Sequence, residues 1–239
     1  MVVRTGEIVH IMSLRAIVHR FRPLWLFAFL GLLLFGGSWT EGGLQKMKGR
    51  PVPAVQEGDI VLQTSISPQC SAIREATQSE WTHCGIVFME NGHRQVGVKH
   101  KAMVLEAVGP VRKTTLEEWL GRTGHWSIRR LKDPSKLNPE AMQRMRDAGE
   151  SMMGKDYDTR FLWSDDEIYC SELVWKIYQN GAGIEVGEVE KWGSMKLDGP
   201  AAQRIIAQRF PNGKMPLEEP VVTPASIARC GILEEVAAM

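Results

Sequence analysis

The stretch "DDEIYCSELVWKIYQNG", Asp165 to Gly181, decides how this chain is read. Three acidic residues lead into Tyr169 and Cys170, and an amphipathic run closes at Asn180-Gly181. Leu173, Val174, Ile177 and Tyr178 share one face, a spacing that predicts a helix with its apolar stripe on a core. The cysteine then stands at the mouth of that helix. There it is a nucleophile, half of a disulfide, or plain packing, and the rest of the chain must decide.

A thiol attacks as thiolate, and an ordinary thiol of pKa ~8.5 is mostly protonated at neutral pH. Unpaired N–H groups and the macrodipole at a helix N-terminus favour the anion. The same N–H groups can hold an oxyanion. Such a thiol needs a base, and the base needs an orienting acceptor. Of the six histidines, His10 and His19 lie in an N-terminal leader, and His93 and His100 lie in polar, turn-like surroundings. His125 begins a strand-like segment after Gly124. His83, in "SEWTHCGIVF", stands at the entry to an apolar strand that can hold a ring rigidly. Glu106 interrupts the apolar run "MVLEAV", and a buried carboxylate needs a partner. If the two strands pair, Glu106 accepts from the His83 ring; the plainer alternative is an ion pair with a basic neighbour such as Arg112.

The chain has 239 residues, 44% hydrophobic and 24% charged, which fits one globular domain with extensions and excludes disorder. Its net charge of +1 provides no global field for nucleic acid. Arg4, Arg15, Arg20 and Arg22 precede a 12-residue apolar run, Leu24 to Phe35, followed by Gly36-Gly37-Ser38. The run is short for a spanning helix, which needs ~20 apolar residues, and suits a signal-peptide core. Residues 1–39 are therefore read as a signal peptide or membrane anchor, 40–56 as a linker, and 57–232 as the catalytic domain. Export would leave that domain periplasmic, extracellular or anchored on the non-cytoplasmic side.

Within the domain, Ile60 to Thr64, Cys84 to Met89, Gln95 to Val98, Met103 to Val108 and His125 to Leu131 read as strands, with a hairpin turn at Asn91-Gly92. Residues 68–82 read as a polar loop with a short helix. Thr114 to Gly121 reads as a capped short helix and Pro139 to Gly154 as a longer one. Pro200 to Phe210 and Pro224 to Ala228 complete the helices. Strands first and helices second indicate an α+β domain.

Together, "GDIVL…WTHCGIVF…VLEAVGPV…GKDYDTRFLWSDDEIYCSELVW", with "VVTPASI" near the C-terminus, resembles the permuted papain-like cysteine hydrolases of the YiiX/YebB type. These are relatives of the NlpC/P60 amidases (peptidase family C92-like). The order histidine, glutamate, cysteine is that of the permuted group. The resemblance implies Cys170 as nucleophile, His83 as base and Glu106 as orienting acid, with Tyr169 lining the site and helping the oxyanion. It also implies a mainly antiparallel sheet or open barrel with the nucleophile helix packed against it. No metal or organic cofactor is called for. The substrate it implies is a small peptide, cell-wall or lipid-amide group. The alternatives are an acyltransferase or thioesterase acting on lipid through an acyl-cysteine, and a non-catalytic envelope binding module.

Cys70, Cys84 and Cys230 would meet oxidant in an exported protein and so invite a disulfide. Cys84, next to His83, should face the opposite side of its strand and is read as packing. A zinc site from Cys70, His83 and Cys84 lacks Cys-x₂-Cys or His-x₃-His spacing. The acidic prelude from Asp156 to Glu167 is read as a solvated loop, with recognition of a cationic substrate group as the alternative.

Overall fold

A computed structural model describes residues 52–90 and 101–239. The leader, most of the linker, the Asn91-Gly92 turn, the 95–98 strand and His10, His19, His93 and His100 lie outside the described residues. Among the described residues, no helix is long and apolar enough to cross a membrane.

The first half runs β1 (Ile60–Gln63), α1 (Pro68–Thr77), β2 (His83–Glu90), β3 (Lys101–Ala107), β4 (Val111–Thr115), α2 (Leu116–Gly121) and β5 (Trp126–Leu131). The second half runs α3 (Pro139–Ser151), α4 (Cys170–Ala182), β6 (Glu190–Lys191), α5 (Pro200–Arg209), β7 (Pro220–Val221), α6 (Pro224–Ala228) and β8 (Leu233–Ala238). Six strands form one antiparallel sheet in the order β4-β3-β2-β1-β5-β8, while β6 and β7 pair separately. The sheet is open, with β4 and β8 at its edges, so the α+β class holds and the barrel is not closed.

Strand periodicity divides the core in two. Ile60, Leu62, Cys84, Ile86, Phe88 and Leu105 pack with α4 residues Leu173, Val174 and Ile177. Val61, Val87, Val104 and Ile128 pack on the other face with Trp119 and Leu120 of α2. Covering both faces explains why the central strands read as apolar runs rather than strict alternation.

The nucleophile helix is fixed at both ends. At its start, Ser171 Oγ donates to Val222 O (2.9 Å) and the Tyr169 hydroxyl accepts from Val222 N (3.2 Å). Toward its end it lies against α3: a Cβ at Gly181 would stand 2.5 Å from Met145 N, so only glycine permits this approach. The helix continues past the expected stop to Ala182, where Gly183 takes the left-handed conformation at φ 67°.

Three elements differ from expectation. Residues 68–77 form a full helix, because Ser67 Oγ accepts from Cys70 N (3.0 Å) and Pro68 sits at the first turn. Thr114 belongs to β4, paired with Val104, and Thr115 becomes the cap of α2 by accepting from Glu118 N (3.2 Å). Leu233–Ala238, where no element is expected, is an edge strand held by its ladder bonds to β5.

Candidate active site

Three elements meet at one end of the sheet: β2 begins with His83, β3 carries Glu106 near its end, and α4 begins with Cys170. His83 Nε2 lies 2.8 Å from Glu106 Oε2. Glu106 is wholly buried and its oxygens are occupied. Thr114 Oγ1 donates to Oε1 (2.6 Å), and Trp119 Nε1 (3.0 Å) and Arg122 Nη1 (2.8 Å) donate to Oε2. Arg112, the plainer partner, stands off with Nε 3.9 Å from Oε1. Burial alone would raise the Glu106 pKa. The His83 hydrogen bond and charge, then Arg122, overcome it and hold the carboxyl well below the usual carboxylate range.

With Nε2 turned to Glu106, Nδ1 is the ring atom left for the thiol, and His83 and Cys170 lie near enough to shift each other's pKa. Burial opposes charge on His83, but the bonds to Cys170 and Glu106 and their negative charges raise its pKa to about 10. Cys170 shifts the other way. A hydrogen bond from the Cys84 thiol is the largest influence and lowers its pKa. Burial raises it, and His83 and the Cys84 backbone N–H lower it further, to well below an ordinary thiol. Opposite shifts on these two neighbouring groups are those expected of a thiolate–imidazolium pair. Trp119 flanks the ring, with centroids 6.1 Å apart.

His83 lines a cavity of about 1180 Å³, together with Thr115, Arg112, His125, Gln69 and Tyr157. Cys170 is only 2% exposed and lies behind this wall, beside a small apolar cavity of about 30 Å³. Tyr169 belongs to that smaller cavity and not to the larger one. His125 stacks on Trp81 (4.9 Å) and bonds Thr64 Oγ1 through Nδ1 (2.9 Å), away from the thiol.

Cys84 shares a core cluster with the nucleophile without having been read as a site residue. The alternation argument sends Cys84 to the face opposite His83, and that face is where α4 and Cys170 pack. Burial, then the bond and charge of Cys170, push the Cys84 thiol up, so it remains a protonated donor. The four cysteines are free thiols; Cys70 is buried and its sulfur accepts from Ser67 Oγ (3.0 Å). Within the acidic prelude, Asp165 and Asp166 are exposed, whereas Asp158 is part of the fold. Asp158 is buried and accepts the N–H groups of Arg160 (2.7 Å), Phe161 (2.9 Å) and Leu162. Asp165 pairs with Lys176 (2.7 Å).

The family model described as "permuted papain-like amidase enzyme, YaeF/YiiX, C92 family" matches residues 54–237. The chain belongs to this family. It is 40% identical over 175 residues to YiiX, an uncharacterized protein of Escherichia coli K12, covering 72% of this chain and 81% of that one. A crystal structure of YiiX from Escherichia coli O157:H7, titled a metalloprotein, superposes with a TM-score of 0.69 at 40% identity. That likeness covers 77% of this chain and 97% of the other. As a permuted papain-like amidase, the chain is a cysteine hydrolase. His83, Glu106 and Cys170 all fall inside the matched region.

Proposed function

We propose that this chain cleaves an amide bond, peptide-like or peptidoglycan-like, with Cys170 as nucleophile, His83 as acid and base, and Glu106 as the group that orients His83. The observation that carries this reading is the 2.8 Å His83–Glu106 bond on a ring whose pKa also responds to Cys170, the first residue of α4. The thiolate attacks the carbonyl carbon, and the orphan N–H groups of the first helical turn are placed to receive the oxyanion. The imidazolium gives its proton to the leaving amine. The neutral ring then takes a proton from water, and hydroxide releases the acyl group from sulfur.

YiiX is titled a metalloprotein. Among the described residues here, no three His, Cys, Asp or Glu side chains are grouped to hold a metal, and no step is routed through one. Capture of the thioester by an alcohol or amine is the second reading, favoured by the apolar lining of the small cavity beside Cys170. The basic, apolar N-terminal segment supports export of the domain in either reading.

The test is hydrolysis of a panel of peptide amides and cell-wall peptides by the wild type, Cys170→Ala and His83→Ala. Both variants should fold and lose turnover; turnover retained by Cys170→Ala would remove the mechanism. A stable acyl-Cys170 formed from lipid and never from peptide would favour the second reading.

A further inference from the structure

Arg112 stands directly across from Glu106 in the β3–β4 ladder, so the two side chains rise from the same face of the sheet. The strand is pinned at that point: Val111 N donates to Lys155 O (2.9 Å) and Gly154 N donates to Val111 O (3.0 Å). The carboxylate it faces is already satisfied. Thr114, Trp119, Arg122 and His83 lie 2.6–3.0 Å from the Glu106 oxygens, whereas Arg112 Nε stays 3.9 Å from Oε1. The Arg112 side chain is 53% exposed and makes no hydrogen bond among the described residues.

The wall of the large cavity carries His83, Arg112, Glu118, Arg122 and His125 as its acidic and basic side chains. Arg122 is spent on Glu106 (2.8 Å) and on Glu118 (3.8 Å). His125 Nδ1 is held by Thr64 Oγ1 (2.9 Å), with Glu80 at 3.7 Å. Arg112 is left with its guanidinium fork unclaimed, a planar set of donors that matches a carboxylate. His83 faces this same cavity, whereas Cys170 lines the small one. In amide cleavage the imidazolium gives its proton to the departing amine. The leaving half of the substrate therefore lies on the side of His83, in the cavity that Arg112 lines. His83 and Arg112 bracket one carboxylate, Glu106, which sets the guanidinium within a short peptide's reach of the ring.

We propose that Arg112 is a specificity residue that binds a carboxylate carried by the leaving amine. The preferred substrates are then amides whose leaving group is an amino acid or short peptide with a free C-terminal carboxylate. Two parallel N–H···O bonds from the fork hold that carboxylate and set the scissile nitrogen beside His83. The C–N bond of the amide breaks, the amine departs with the His83 proton, and the acyl group stays on sulfur until water releases it. The carboxylate itself neither gains nor loses a proton. This inference rests on the amide-cleavage reading and deepens it, because it names the chemistry of the substrate's leaving half.

The experiment uses the full chain carrying Cys170→Ala, which binds without consuming its ligand. N-acetyl-Ala-Ala, N-acetyl-Ala-Ala-Ala and their C-terminal amides are titrated by calorimetry. At least one acid should bind about 10-fold or more tightly than its amide, the worth of a charge-assisted pair. Adding Arg112→Leu should bring acid and amide level without weakening the amide. Arg112→Lys should restore part of the preference, since it returns the charge without the fork. Succinyl-Ala-amide, whose carboxylate lies on the acyl side, should gain nothing over acetyl-Ala-amide. Equal affinity for acid and amide, or no binding of either, would overturn the proposal, as would an acid preference that survives Arg112→Leu. A preference for the succinyl ligand that Arg112→Leu removes would overturn the assignment to the leaving side. Failure of the hydrolase reading shows separately, as turnover retained by Cys170→Ala. The ratio of acid to amide affinity is a binding ratio and decides the role of Arg112 in that case too.

Discussion

Glu106 reaches His83 across Gly85. The pairing of Ile86 with Leu105 sets Gly85, not His83, beside Glu106, so the carboxylate leans along the sheet to close its 2.8 Å bond. A Cβ at Gly85 would stand 2.5 Å from Val104 Cγ1, 2.9 Å from Leu105 O and 3.4 Å from Glu106 Cβ. The glycine is therefore part of the site's construction.

Gly85→Ala should cost about 1–3 kcal/mol through overpacking against Val104 and the β3 backbone. Thermal melting will show the loss of stability. Turnover of the folded fraction should also fall, because the shift falls on the strand that carries Glu106. An unchanged melting temperature would mean that β3 yields more readily than its central position implies.

Glu106→Gln should impair turnover by roughly 100-fold or more without erasing it, since the amide can still contact the ring but no longer balances its charge. The folded pKa of Glu106 lies below its ordinary 4.5, so its contribution to stability is full above that value and is lost as pH falls. Acid unfolding of the Gln variant should accordingly lose part of its pH dependence. Complete failure to fold would assign Glu106 to structure rather than catalysis.

The pH profile has a defined sign. Cys170 forms thiolate well below an ordinary thiol, so kcat/KM should already be high at neutral pH, with its acid limb lying below neutrality. His83 keeps its proton until about pH 10, and kcat/KM should fall as pH rises through that value. The same raised pKa stabilises the fold below pH 6.5, the ordinary value, and that contribution fades as pH approaches about 10. A single rise centred near 8.5 would indicate an unperturbed thiol.

Cys84→Ser keeps a hydrogen-bond donor toward Cys170, whereas Cys84→Ala removes it. Iodoacetamide alkylation of Cys170 should shift to higher pH in the Ala variant and stay near wild type in the Ser variant. Equal profiles for both would reduce Cys84 to packing.

His83, Glu106 and Cys170 are legible in the sequence because each breaks or begins an apolar pattern, and a charged group in a buried strand requires a partner. Cys84 is half legible. Alternation correctly turns it away from the His83 face, but only the fold shows that the nucleophile helix packs there. Tyr157 and Gln69 are 88 residues apart, and their meeting depends on α1 lying beside the Tyr157–Ile168 bridge. No local period encodes such a contact. Tyr169 is a different case: the resemblance implies that it lines the site, and the structure sets it beside Cys170 on the small cavity with its hydroxyl bonded to Val222 N. The acidic prelude looks like a surface feature, yet Asp158 is spent on three backbone N–H groups of one turn.

The most direct measurement of the central claim is the rate of iodoacetamide alkylation at Cys170 against pH, mapped by mass spectrometry in the wild type and in His83→Ala. An imidazolium-paired thiolate predicts rapid labelling of Cys170 at pH 6 in the wild type, moving to pH ~8.5 or above when His83 is removed. Cys170 labelling near pH 8.5 in both proteins would contradict the pairing and, with it, the assignment of Cys170 as an activated nucleophile.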